Sequence, residues 1–181
     1  TINCGNPNCP NINCGNVNQA NNNNSNANVR VNGLLFDLGS CVSAAAPPCT
    51  VVIKDKSVTI NDATRLDVEP LGMWGASFAD FASALTEPGL PMNARVTDDG
   101  TLIARQLSIR QELQAVGRVS GPDAAGVFTM QVNGDPSAPT ILFRPLAGVR
   151  VSATGNVRIE ANVPGDLTSP IIYQAFEVEN Y

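Results

Sequence analysis

From residue 29 onward the chain alternates apolar and polar positions in short runs separated by Gly, Pro, Asn and Asp. That is the period-two signature of half-buried strands. It predicts strands over residues 29–38, 50–54, 57–66, 92–98 and 101–110. Asp55-Lys56 and Asp98-Asp99-Gly100 read as the tight turns of two hairpins. Between the third and fourth runs the period changes. Trp74, Phe78, Phe81 and Leu85 fall four, three and four residues apart, which is one face of a helix over about 75–86. Ser77 or Gly75 would cap its start, and Pro88-Gly89 would stop it. Five strands with one helix between the third and fourth is the element order of an OB-type barrel.

The second half repeats the theme without a helix. Residues 113–120, 127–132, 140–143, 149–159 and 171–178 read as strands, with turn signals at Gly121-Pro122-Asp123, Asn133-Gly134-Asp135 and 162–166. The opening of each half is similar: Val29-Arg30-Val31-Asn32-Gly33-Leu34-Leu35 echoes Leu113-Gln114-Ala115-Val116-Gly117-Arg118-Val119. The closing run Ala104–Ile109 likewise echoes Ala175 to Val178. The expected fold is therefore all-β, two tandem small OB-like β-barrels over 29–111 and 112–181.

Residues 1–28 form a separate, extended connector. From Asn3 they read in fives, with Asn at the first and fourth place of each unit and Cys4, Cys9 and Cys14 at the second place of the first three. A fixed internal period signals stacked or assembled structure. Three thiols at four-residue gaps make a poor metal or iron–sulfur motif, which wants about four ligands, many of them two residues apart. A square β-helix of period five needs large apolar centres, and here those places hold Cys, Gly, Pro and Asn. What remains is an extended segment suited to cross-linking and to pairing with a neighbour's sheet edge.

The strand carrying Gly33, the run Thr50-Val51-Val52-Ile53, the run from Val58 to Thr64 (VTINDAT) and the run from Ala94 to Leu107 (ARVTDDGTLIARQL) together resemble a family of bacterial secreted β-barrel domains. That family has no assigned function and often occurs in tandem. The resemblance covers residues 27–111 closely and 112–181 more loosely. It implies secreted barrels in series, supplies no catalytic residues, and leaves the Asn/Cys segment outside.

Charge narrows the partners. Eleven Lys and Arg against sixteen Asp and Glu give a net charge of −5, which argues against a nucleic-acid surface. No apolar run is long enough to span a membrane as a helix, so no membrane insertion is expected. The chain has no His. This removes the usual general base, the Ser-His and Cys-His nucleophile pairs and mixed Cys/His zinc sites, so neither an enzyme nor a cofactor or metal is expected.

Asp98-Asp99-Gly100, Asn133-Gly134-Asp135 and Asn61-Asp62 lack the spacing of a calcium loop and read as turns. Asp67, Asp80 and Glu87 read as solvated carboxylates, not as an acid/base set. Asn23-Asn24-Ser25 fits a glycosylation sequon, as Asn-rich sequence readily does. Cys41 and Cys49 bracket a short loop between the first two strands and are expected to form a disulfide in an oxidising, extracytoplasmic compartment. Five Cys cannot all pair among these 181 residues.

These features point to a secreted structural subunit of a self-assembling extracellular or cell-surface filament. Its partner would be another copy of itself, joined head to tail by strand pairing of residues 1–28, with Cys4, Cys9 and Cys14 available for cross-links between subunits. The alternative is a monomeric extracytoplasmic module that binds a glycan on a barrel face built from Trp74, Phe78 and Phe81.

Overall fold

The computed structural model describes residues 29–133, 135–152 and 155–180. The repeat-bearing segment, with Cys4, Cys9, Cys14 and the Asn23 sequon, lies outside the described residues.

The first half contains β1 (Val29–Asp37), β2 (Cys49–Ile53), β3 (Lys56–Ile60), β4 (Arg65–Val68), β5 (Met73–Trp74), α1 (Phe78–Ala84), β6 (Pro91–Val96) and β7 (Ala104–Ile109). They form a seven-stranded sheet in the order β3-β2-β1-β6-β7-β4-β5. All its neighbours are antiparallel except β4 and β7. The second half contains β8 (Glu112–Ser120), β9 (Phe128–Val132), β10 (Thr140–Pro145), β11 (Asn156–Asn162) and β12 (Ile172–Asn180). These close into a five-stranded barrel in the order β9-β10-β12-β11-β8. The barrel also has one parallel pair, β10 with β12. Mostly-β architecture with a closed barrel is thus what the alternation predicted.

Alternation turns directly into packing. In β8, Leu113, Ala115, Gly117 and Val119 are buried while Glu112, Gln114, Arg118 and Ser120 face solvent. In β11 the buried set is Val157, Ile159 and Ala161. Side chains of both halves belong to one continuous apolar cluster, in which each fully buried Leu, Ile or Phe contributes about 1.5–3 kcal/mol.

The first strand of each half serves two neighbours, and a glycine sits where the partner changes. Gly117 pairs with Val157 on one side and Val132 on the other. A Cβ there would stand 2.1 Å from the Gln131 carbonyl oxygen and 2.9 Å from Val132 Cα. In β1, residues 29–34 pair with β6 and the end of the strand pairs with β2. Gly33 marks the change, with φ +151° and Lys54 carbons 2.5 Å from where its Cβ would be.

Four expectations needed correction. The predicted strand 57–66 is two strands, because Asn61 and Thr64 build a turn: the Asn61 Oδ1 accepts from Ala63 N at 2.9 Å, and Thr64 Oγ1 accepts from Asn61 N at 3.0 Å. The first hairpin turn falls on Lys54 and Asp55, since Lys56 pairs with Ile53. The strand expected over 149–159 runs from Asn156 to Asn162, the chain turning through the Val149 N to Leu146 O bond and Gly148 at φ 87°.

The helix is also shorter than 75–86 and begins after Ser77, whose side chain caps Asp80 N at 3.1 Å. Trp74 therefore lies outside it, on β5, paired with Asp67. Phe81 is fully buried.

Gly117→Ala tests the partner-switching bend. Its methyl group would collide with backbone, so we expect a loss of about 1–3 kcal/mol or more from overpacking, measured by urea denaturation.

Candidate functional site

Cys41 and Cys49 form the predicted disulfide, with S–S at 2.06 Å and both side chains buried. It closes the loop between β1 and β2. Thr50 N donates to Ser40 Oγ at 3.0 Å, and Gly39 N donates to Asp37 Oδ1 at 2.7 Å, so the loop is held at its base as well.

The aromatic set is not a common face. Phe81 is in the core, Phe78 is half-buried, and Trp74 is 62 % exposed. The helical spacing that linked them ends at Gly75, whose φ of 75° lies in the left-handed region. Trp74, on β5, and Leu71, on the short turn before it, are instead both exposed.

The three carboxylates singled out in the sequence are held apart in separate tasks. Asp67 is fully buried, contrary to its expected solvation. Gln106 Nε2 donates to it at 2.7 Å, Gly75 N at 2.8 Å, and Arg65 Nε and Ser108 Oγ at 3.2 Å each. Burial would raise its pKa, but these donors, Gln106 foremost, outweigh burial and hold the carboxyl below its ordinary value. Asp67 thereby ties β4 to β5 and β7. Asp80 lies in the first turn of α1.

Glu87 reaches the second half: its Oε1 accepts from Ser169 Oγ at 2.6 Å and Ile171 N at 3.1 Å. Thr86 Oγ1 donates to the Leu167 carbonyl at 2.8 Å beside it. Glu69 accepts from Gln111 N at 3.2 Å, at the end of the first half. Tyr173, buried nearby, is pushed up in pKa by burial and by the Glu87 charge.

The supposed calcium turns spend their oxygens locally. Asp99 Oδ1 accepts from Thr101 N at 3.0 Å and Thr101 Oγ1 at 2.5 Å, and Asp135 Oδ1 from Ser137 N at 2.9 Å and Ser137 Oγ at 2.7 Å. These donors hold both carboxyls below their ordinary pKa. Among the described residues no group of three or more Cys, Asp or Glu is placed to hold a metal ion.

What sequence reading missed is a cleft of about 230 Å³ between β1 and β8. Leu34, Phe36 and Val132 line its apolar part, and Lys54, Gln114, Asn133 and Arg158 its polar part. Arg158 is bonded to Glu160 and Glu179, the latter at 3.1 Å. Lys54 lies with its stem across Gly33 and its backbone at φ 55°. The available signal was a Lys in a hairpin turn that ordinarily takes Gly, Asn or Asp.

No protein-family model matches the chain, and no curated protein is significantly similar to it.

Asp67 carries a pH signature. Its lowered folded pKa contributes stability that is present above the unfolded carboxyl value, near pH 4, and is lost as pH falls through the folded value. Melting curves from neutral to strongly acid pH should show Asp67→Asn less stable than wild type at neutral pH, with the gap closing in acid. Asp67→Ala, which strands the buried donors, should cost about 1–3 kcal/mol at neutral pH.

Proposed function

We propose that this protein is a secreted structural subunit that polymerises outside the cell, with residues 1–28 as the link between neighbouring copies. One observation carries the reading. Of five Cys, Cys41 and Cys49 are consumed by a buried disulfide, and the three left, Cys4, Cys9 and Cys14, are an odd number. At least one of them has no disulfide partner within these 181 residues and is therefore free, bound to another group, or bonded to another chain. The simplest partner with a matching thiol is the same segment of another copy, and three cysteines per copy let such links pass from one copy to the next. A head-to-tail strand contact beside them propagates as an open filament unless its rotation closes a ring. The disulfide agrees with an oxidising compartment, and among the described residues no helix is long and apolar enough to cross a membrane.

In this reading the two halves are tandem OB-like barrels of the secreted family that residues 27–111 resemble. Support comes from strand order. Taking β3 and β4 as one strand broken at Asn61–Thr64, the first half runs 1-2-3-5-4, as the second does. The β3 residue Thr59 bridges Ile103 in parallel, as expected of a third strand meeting a fifth. The barrels are then rigid bricks, joined by Glu87 and Thr86.

Non-reducing electrophoresis and electron microscopy of the native protein test the link. We expect a ladder of cross-linked species and filaments for wild type, and loss of the ladder in the Cys4/Cys9/Cys14→Ser variant. Monomer alone in both, without filaments, refutes the reading. Cys41→Ser/Cys49→Ser should do the reverse, preserving the ladder while losing about 2–3 kcal/mol of subunit stability from the shorter closed loop.

A further inference from the structure

We propose that the cleft between β1 and β8 is a binding site for one anionic sugar ring, a uronic acid, with Lys54 taking its carboxylate. Trp74 is not among its described lining residues.

The first argument is size and lining. A cleft of about 230 Å³ has the volume of roughly eight bulk water molecules, enough for a single six-membered sugar ring. Such sites combine apolar walls with a few convergent polar groups. Here Phe36 and Leu34 offer carbon surface to the C–H face of a ring, and the Gln114 and Asn133 side chains offer amides to its hydroxyls.

The second argument is charge. No Asp or Glu lines the cleft, although the chain as a whole carries −5. Of its two cations, Arg158 is already balanced by Glu160 and Glu179. Lys54 is exposed and makes no ion pair with a described residue within salt-bridge distance, so its ammonium is open to an incoming anion.

The third argument is conformational. Lys54 occupies the first position of a two-residue hairpin turn at φ 55°, a backbone region that Asn and Gly adopt with less strain. Its stem lies across Gly33, where any Cβ would come within 2.5 Å of Lys54 Cγ and Cδ. The glycine thus gives the lysine stem its seat. The turn and its glycine seat thus place Lys54 at the edge of the cleft.

The experiment is calorimetric titration of the native protein with sodium galacturonate, with galactose and sodium acetate as controls. We expect saturable galacturonate binding that weakens with added salt and exceeds binding of either control by roughly tenfold or more, the worth of one charge-assisted hydrogen bond. Lys54→Asn should lose that preference while its melting temperature equals or exceeds that of wild type. Lys54→Gln, which retains a stem over Gly33, should lose it too. Gln114→Ala should weaken binding about threefold. Absence of saturable binding by wild type, equal affinity for galactose or acetate, or unchanged affinity in both Lys54 variants overturns the proposal. Because the assay reads the cleft alone, the Cys4/Cys9/Cys14→Ser variant should bind as wild type does, so the outcome is separable from that of the cross-linking test.

Discussion

The structure depends on a steric constraint: one strand must bond to two neighbours that diverge from it. β8 hydrogen-bonds to β11 along 112–118 and to β9 along 117–120. The strand must bend where these ladders overlap, and backbone of β9 then comes within contact distance of the place a side chain would occupy. Only glycine tolerates that approach. With the bend, five strands close and no sheet edge is left for unplanned pairing. β1 meets the same demand at Gly33. There the space left by the missing Cβ is filled by the Lys54 stem instead of by backbone, so one folding requirement yields a closed wall in one half and a seated cation in the other.

Side-chain hydrogen bonds do the remaining work of fixing relative positions. Apolar contacts are non-directional, and a β surface can slide on another at little cost. Asp67 removes that freedom within the first half. Its four donors come from β4, β7 and the residue after β5, across the very region where Asn61–Thr64 interrupts the third strand. Glu87 does the same between halves, bridging the loop after α1 to Ser169 and Ile171. Both carboxylates looked like solvated surface charge because charge in a short polar–apolar alternation normally faces water. Two of the Asp67 donors and both Glu87 donors are distant in sequence, 39 to 41 residues for Gln106 and Ser108 and 82 to 84 for Ser169 and Ile171, and no local pattern encodes those.

That contrast explains what the sequence revealed. Most strand positions, the Cys41–Cys49 loop and the kinship of Gly33 with Gly117 are local or repeated features, and these were legible. Trp74 was misassigned because a four-residue gap to Phe78 fits a helix by coincidence. The deciding residue was Gly75, whose left-handed backbone separates β5 from the cap at Ser77. The strand 57–66 hid a break because the Asn61 side chain can replace backbone partners in a turn, an option that hydrophobic alternation does not register. The cleft was invisible for a third reason. Its floor and rim come from β1, the β2–β3 turn, β8, β9 and β11, which only the packing of the two halves brings together.

The closed barrel also limits how copies of this protein can join. Strand addition needs a free edge, and β8 through β12 present none. The ends of the first sheet are β3 and β5. β3 is engaged through Thr59, which bridges Ile103 and donates its N–H to the Leu102 carbonyl at 3.0 Å. β5 is two residues long, too short to hold a neighbour by ladder hydrogen bonds at a net 0.5–1.5 kcal/mol each. In the assembly proposed above, strand pairing can therefore set direction but not strength, and covalent linkage through the N-terminal cysteines must supply the strength. Exposed Trp74 and Leu71 flank that one open edge, where an apolar contact from an incoming segment would add to the few hydrogen bonds on offer.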